Sequence, residues 1–140
     1  MLLTLPDGTR RRYKKGTTLA EIGKPFESSY DSPLAAGIFN GQEYSLSYQV
    51  TEDGEVGFIP LNSVEGMRAF VRSIIFVCDV AMKDLFPGTE LEVCNSLGSA
   101  LYCIMPKNPL NPAQLKQLEE KMHSIVEAKY PIVTFPVDRQ

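Results

Sequence analysis

The chain has 140 residues, of which 44% are hydrophobic and 22% are charged, and its formal net charge is −3. A chain of this length and composition can bury a core large enough for one mid-sized domain or two small ones. These values therefore exclude a disordered chain. No run approaches the ~18 apolar residues of a membrane span, and the N-terminus lacks a signal-peptide pattern. We therefore expect a cytoplasmic protein with no membrane partner.

The distribution of charge and the cysteine content limit the kinds of site that the chain can hold. The first fifteen residues hold five Lys or Arg residues and one Asp, whereas the remainder holds nine basic and sixteen acidic residues. Cys78, Cys94 and Cys103 form no CxxC pair, so we predict reduced, buried thiols without a disulfide or a metal site. His123, the single histidine, is predicted to be solvated, since no second imidazole accompanies it.

The first 61 residues predict a small sheet with one short helix. A Pro6-Asp7-Gly8 turn between two short strand candidates is typical of a hairpin. Thr18 and Glu21 have the spacing of a capping box, which predicts a brief helix before a loop at 27–34. Strands are then expected at 35–39 and 55–61, near turns at Asn40-Gly41 and Asp53-Gly54. This order of elements predicts a β-grasp sheet.

Residues 62–140 have a different pattern. Asn62 and Glu65 have cap spacing, and the following apolar residues keep helical spacing until Pro87. Strand candidates at 90–94 and 100–105 predict a hairpin through a loop at 95–99, and Asn111-Pro112 begins a second helix. A last strand is predicted at 132–137. Because the chain ends soon afterwards, we expect this second α+β unit to be incomplete.

Several motifs resemble a known family. Leu3–Gly8 and Gly16–Ile22 resemble the opening of a TGS domain, the β-grasp (ubiquitin-like) domain at the front of threonyl-tRNA synthetase. The resemblance continues through Gly37–Gly41 and Val50–Val56, and Glu65–Met67 with Lys83–Gly88 resemble the start of that synthetase's editing domain. It implies an α+β chain, with a TGS-like β-grasp domain at 1–61 and a partial editing-like α/β sandwich at 62–140.

The same resemblance argues against catalysis by this chain. In the synthetase, the long helix carries an HxxxH motif whose histidines fall on Arg72 and Phe76 here. The Cys and His that complete the family's editing site would lie beyond Gln140. An editing hydrolase is therefore the poorest interpretation, and no catalytic residue is nominated.

A second family shares this front end, namely bacterial nucleoside kinases related to uridine kinase. Arg72–Phe76 and Asn95–Cys103 resemble segments of those proteins. The resemblance implies a non-catalytic ancillary module, regulatory or ligand-binding, of a nucleoside/uridine kinase, which is a transferase. Its partner would be a downstream kinase domain using ATP and Mg²⁺, because no P-loop motif GxxxxGK[ST] occurs here. No cofactor is expected in this chain itself.

The alternative from a different class is an RNA-binding module derived from a threonyl-tRNA synthetase N-terminal region. The side chains that would contact RNA phosphates or an acidic partner are Arg10, Arg11, Arg12, Lys14 and Lys15. The simpler explanation of these charges is protection of an edge strand against strand addition.

Two further places are candidates for binding a small ligand. Arg72 and Phe76 have i,i+4 spacing on the long helix, where a guanidinium beside a phenyl ring suits a planar anion. The simpler alternative is a surface ion pair for Arg72 and core packing for Phe76. Ser96 and Gly98 lie in the segment 95–99, which would either hold a phosphate as a backbone nest or form a plain hairpin turn.

Overall fold

The computed structural model describes residues 1–97 and 100–132. These residues form two compact units, one comprising Met1–Arg72 with the described residues 131 and 132, the other comprising Ser73–Tyr130. The units divide inside the long helix, whereas the change in sequence pattern suggested a boundary at 61/62, just before that helix begins. The boundary at 61/62 stays a prediction.

A mixed five-stranded sheet organises the first unit. Its strands are β1 (Leu2–Thr4), β2 (Arg10–Arg12), β4 (Leu34–Phe39), β5 (Gln42–Tyr44) and β7 (Gly54–Pro60), in the order β2-β1-β7-β4-β5. The strands β3 (Thr17–Thr18) and β6 (Gln49–Val50) form a separate antiparallel pair. Leu3 lies opposite Gly54 in the parallel β1–β7 pair, and the other pairs in the sheet are antiparallel. The predicted β-grasp arrangement and the α+β class are confirmed.

One short helix packs against this sheet. Helix α1 (Leu19–Gly23) begins at the predicted capping box and runs into a 3-10 helix, Lys24–Ser29. The prediction of a loop from residue 27 was therefore wrong for its first residues. Phe26 is buried and its ring stacks on Phe58 at a centroid distance of 6.1 Å, which anchors the extra turns to the core.

The core of the first unit lies between this helical segment and one face of the sheet. Its buried members are Leu3, Leu5, Leu19, Ile22, Phe26, Phe39, Val50, Val56 and Phe58. Leu3 and Leu19 are fully buried, and burying such a side chain contributes about 1.5–3 kcal/mol. The β4–β5 hairpin closes through Asn40 and Gly41 with φ values of 50° and 80°, the left-handed conformations of a type I′ turn.

Helix α2 (Val64–Leu85) begins one residue later than the sequence suggested. The Ser63 hydroxyl accepts a hydrogen bond from the Gly66 amide at 3.0 Å, so Ser63 caps the helix and Asn62 does not. The same hydroxyl donates to the Pro60 carbonyl at 2.7 Å. This contact with the end of β7 holds Ser63 in the capping position, which explains the difference of one residue.

The second unit contains most of α2, a hairpin and a third helix. The hairpin consists of β8 (Glu92–Leu97) and β9 (Ala100–Ile104), and α3 (Pro112–Glu127) starts at a capping box formed by Asn111 and Gln114. Ala81, Met82 and Leu118 are its buried apolar residues among those described. The predicted hairpin and the predicted cap of α3 are confirmed.

Two sequence predictions in this unit need correction. Residues 95–97 belong to β8 and not to a loop, because they pair with β9 in register, with Asn95 opposite Tyr102. Cys94 and Cys103 are exposed, and Cys78 is only partly buried; the two exposed thiols lie on a hairpin of only two strands. The predicted last strand at 132–137 lies outside the described residues except for Ile132, which is not in a strand.

Candidate nucleic-acid interface

The basic segment Arg10–Lys15 lies at the edge of the first sheet. Strand β2 consists of Arg10, Arg11 and Arg12, pairs with β1 on one side and, among the residues that the structure describes, ends the sheet on the other. All three arginines are exposed, and so are Lys14 and Lys15. The edge-strand position is thus what the sequence predicted, and it leaves five cationic side chains accessible to solvent.

The tip of the hairpin is fixed by Asp7. Its Oδ1 accepts hydrogen bonds from the Thr9 amide at 2.9 Å and from the Thr9 hydroxyl at 2.6 Å. The side-chain bond from Thr9 lowers the pKa of Asp7 most, followed by the Thr9 amide, and the positive charge of Arg11 adds a smaller effect. The carboxylate therefore stays ionised at neutral pH and holds the turn that positions β2.

The two lysines follow β2 in a second turn. The Lys14 carbonyl accepts hydrogen bonds from the Thr17 amide at 3.2 Å and from the Thr17 hydroxyl at 2.7 Å. The Gly16 amide then donates to the Val50 carbonyl at 2.8 Å. These backbone bonds tie the lysine turn to β6, so both lysines project from an ordered loop.

The α2 candidates lie apart from the basic segment in sequence and are also exposed. Arg72 is exposed, and its Nε donates to the Arg68 carbonyl one turn earlier at 3.3 Å. Phe76 is 51% exposed, so the alternative that it packs in the core does not hold. Further along the helix, Lys83 and Asp79 form an ion pair of 2.7 Å. A ligand site at Arg72 and Phe76 stays a prediction.

The remaining sequence candidates do not form a second site in the described residues. Ser96 lies within β8, whereas Gly98 is outside the residues that the structure describes. His123 is exposed on α3, as predicted. Across residues 1–97 and 100–132, no three His, Cys, Asp or Glu side chains are grouped in a way that would hold a metal ion. Nor does any helix in that part of the chain have the length and apolar character needed to cross a membrane.

One feature of the first unit was not predicted from the sequence. A depression of about 390 Å³ is open to solvent beside the 3-10 helix. Its lining residues are Ala20, Glu27, Tyr30, Asp31, Ser32, Pro33, Leu34 and Leu46. The Ser32 hydroxyl already accepts a hydrogen bond from the Asn62 amide at 3.1 Å. The only sequence signal here was a run of Ser, Asp and Pro, which is typical of surface loops in general, and we assign the depression no ligand.

Comparison with known proteins places these features in context. No protein-family model matches the chain. The chain is 30% identical over 139 residues to the threonine–tRNA ligase of Desulforamulus reducens and 33% identical over 140 residues to that of Symbiobacterium thermophilum. It is 29% identical over 139 residues to threonine–tRNA ligase 1 of Bacillus subtilis. Each match covers 99% of this chain and 21% or 22% of the ligase.

The chain thus spans about a fifth of the length of the curated relatives that it matches. These relatives support the resemblance to threonyl-tRNA synthetase that was noted in the sequence. None of the three is a nucleoside kinase, and they lend the kinase resemblance no support. Over its whole length the chain is similar to the N-terminal region of threonine–tRNA ligases.

Proposed function

We propose that this chain is a non-catalytic module of a longer protein and that it contacts RNA through the basic segment Arg10–Lys15. The observation that carries the proposal is the exposure of five cationic side chains on an ordered sheet edge. The similarity to ligases whose name states that they act on tRNA supports RNA as the polyanion.

The chemistry of the segment suits phosphate. Arginine presents a planar fork of N–H donors that matches phosphate oxygens and is always charged, and lysine adds a point charge. The rest of the chain is acidic, with nine basic and sixteen acidic residues beyond residue 15. An approaching polyanion is therefore attracted to this one edge and repelled by most of the remaining surface.

The non-catalytic part of the proposal rests on α2. Arg72 and Phe76 stand where the resemblance to the synthetase editing domain would have its two histidines. A guanidinium remains protonated and a phenyl ring carries no titratable group, so neither can ligate a metal or transfer a proton near neutral pH. Both side chains are exposed on the helix, which is compatible with binding but supplies no general acid or base.

A salt titration of RNA binding tests this function. Fluorescence anisotropy with labelled tRNA would be recorded at low and at moderate salt, and affinity is expected to fall as salt rises, because phosphate contacts release counterions. The triple variant Arg10→Gln, Arg11→Gln, Arg12→Gln should bind more weakly. A matched control, Lys24→Gln, Lys83→Gln, Lys116→Gln, removes equal charge elsewhere and should bind nearly as well as the original chain. Absence of salt-dependent binding would refute the proposal.

A second candidate is the ancillary module of a nucleoside kinase. It is favoured by the resemblance of Arg72–Phe76 and Asn95–Cys103 to such proteins and by the exposure of Arg72 and Phe76. The test is phosphorylation of uridine and cytidine with ATP by the full-length gene product, with and without residues 1–140. Activity that survives the deletion with altered affinity or cooperativity supports this role. No phosphorylation by the intact protein would exclude it.

A further inference from the structure

We infer, on the basis of the proposed RNA contact, that β2 binds one RNA backbone through the side chains and the outward-facing backbone amides of Arg10 and Arg12. Arg11 does not contact the RNA. The three arginines are consecutive in sequence, yet the sheet separates them into two sets. The separation follows from strand register and from the hydrogen-bond pattern.

The register assigns the side chains to opposite faces of the sheet. Residues directly opposite each other on neighbouring strands share a face, and successive residues alternate. Arg11 lies opposite Leu3, which is fully buried, so Arg11 is on the core face. Arg12 lies opposite Leu2, which is 39% exposed, and Arg10 lies opposite Thr4. Arg10 and Arg12 therefore share the outer face.

The backbone amides of Arg10 and Arg12 point to the free edge of the sheet. Met1 and Tyr13 exchange two hydrogen bonds, each of 3.0 Å, and the Leu5 amide donates to Thr9 at 2.8 Å. In an antiparallel pair, hydrogen-bonded and non-hydrogen-bonded residue pairs alternate. Arg10 and Arg12 therefore occupy non-hydrogen-bonded positions relative to β1. Their amides point away from β1, at an edge where β2 ends the sheet.

Local charge does not divide the three arginines as the register does. After the two hydrogen bonds from Thr9, the positive charge of Arg11 lowers the pKa of the Asp7 carboxyl at the hairpin tip. Among the described residues, none of the three arginines forms an ion pair. The Cα atoms of Arg10 and Arg12 are about 6.8 Å apart along the strand. Two guanidinium groups thus lie on the outer face of β2, and the amides of the same residues, together with their carbonyls, point to the free edge.

This arrangement suits a single strand of RNA lying along the edge. Backbone amides and arginine side chains are standard phosphate donors, and they carry no base information by themselves. Contact should therefore be independent of base sequence, with two phosphates held by the arginine pair. Lys14 and Lys15 would extend the same positive surface beyond the strand.

The test compares the slope of log affinity against log salt for polyuridylate binding to the 140-residue chain. Each phosphate contact on single-stranded RNA contributes about 0.7 to this slope. The double variant Arg10→Gln, Arg12→Gln should reduce the slope by about 1.4. Arg11→Gln should change the slope no more than Lys24→Gln, a control that removes one charge elsewhere. The variant Arg10→Lys, Arg12→Lys should keep the slope while binding more weakly.

The outcomes distinguish this inference from the proposed function. If Arg11→Gln reduced the salt slope by as much as each substitution in the double variant, the assignment of RNA contact to Arg10 and Arg12 alone would be overturned. RNA binding by the chain would still stand. Absence of salt-dependent binding by the unsubstituted chain, or equally tight binding of polyglutamate, would instead overturn RNA as the partner. Thermal unfolding of each variant, followed by circular dichroism, checks that these exposed substitutions leave the fold unchanged.

Discussion

Thr18 and Glu21 cap helix α1 reciprocally. The Glu21 amide donates to the Thr18 hydroxyl at 3.2 Å, and the Thr18 amide donates to the Glu21 carboxylate at 2.9 Å. The helix that they start is only five residues long, too short to be stable without its cap and its tertiary packing. It supplies Leu19 and Ile22 to the core, so the cap is coupled to the packing of the whole first unit.

The first prediction concerns this cap. Thr18→Ala removes the hydroxyl that accepts from the Glu21 amide and should lower the free energy of unfolding by about 1 kcal/mol. Urea denaturation followed by circular dichroism measures the change. Thr51→Ala is the control, because Thr51 is exposed and outside the helices and strands. Equal effects of the two substitutions would contradict a capping role.

The second prediction is a pH dependence from Glu21. The hydrogen bond from the Thr18 amide lowers the pKa of Glu21, and the Thr18 hydroxyl adds to this effect. A lowered folded-state pKa means that the unfolded chain binds more protons, so this contribution to stability is present above about pH 4.3 and is lost as the pH falls further. Stability measured from pH 7 to pH 3 should decline less steeply in Glu21→Gln. An unchanged slope would contradict the prediction.

The third prediction uses two adjacent leucines on β1. Leu3 is fully buried, whereas Leu2 is 39% exposed on the opposite face. Leu3→Ala should lower the free energy of unfolding by about 2–5 kcal/mol, because it leaves a cavity in the core. Leu2→Ala should cost less than about 1 kcal/mol, because little buried area is lost. Thermal and urea unfolding compare the pair, and similar costs would mean that the strand register is wrong.

The fourth prediction reverses the usual effect of glycine in a helix. Gly66 is the third residue of α2, and replacing a glycine by alanine in a helix interior normally gains up to about 1 kcal/mol. Here the new Cβ would collide with the Pro60 carbonyl oxygen and would lie 2.9 Å from the Leu61 Cα. Because both neighbours are backbone, the variant should instead lose about 1–3 kcal/mol.

A second glycine controls for general effects of adding a methyl group in this unit. At Gly57 the added Cβ would lie 3.5 Å from the Ile38 Cβ, an ordinary van der Waals distance. Gly57→Ala should therefore be tolerated better than Gly66→Ala in the same urea titration. Stabilisation by Gly66→Ala would show that α2 does not start against the end of β7.

The fifth prediction concerns thiol reactivity. Cys94 and Cys103 are exposed, whereas partial burial raises the pKa of Cys78, with smaller effects from Cys103 and Asp79. The thiolate is the reactive form, so DTNB should modify Cys78 more slowly than the other two. In the double variant Cys94→Ser, Cys103→Ser, only the slow phase should remain. A fast phase in that variant would contradict the assignment.

Local signals in the sequence were sufficient wherever short-range chemistry decides the conformation. The Asn40-Gly41 turn, the capping box at Thr18 and the cap at Asn111 were all predictable, because each depends on atoms within about four residues. The position of α2's cap was missed by one residue, because Ser63 bonds the Pro60 carbonyl at the end of β7, and where β7 ends depends on its pairing with β4, in which Pro60 lies opposite Leu34. The segment 95–97 was missed because pairing with β9 overrides the weak strand preference of Asn and Ser.

For the candidate site, too, some features were predictable from the sequence and others were not. Sequence alone determined that the chain has one basic segment and that this segment belongs to a hairpin, and the resemblance to the synthetase implies that Arg72 and Phe76 stand at its two histidine positions. Only the tertiary structure decided that Arg11 shares the face of buried Leu3 and that Phe76 is exposed. The physical reason is that charge is a property of composition, whereas the face and exposure of a side chain depend on strands and helices that pairing brings together from distant parts of the chain.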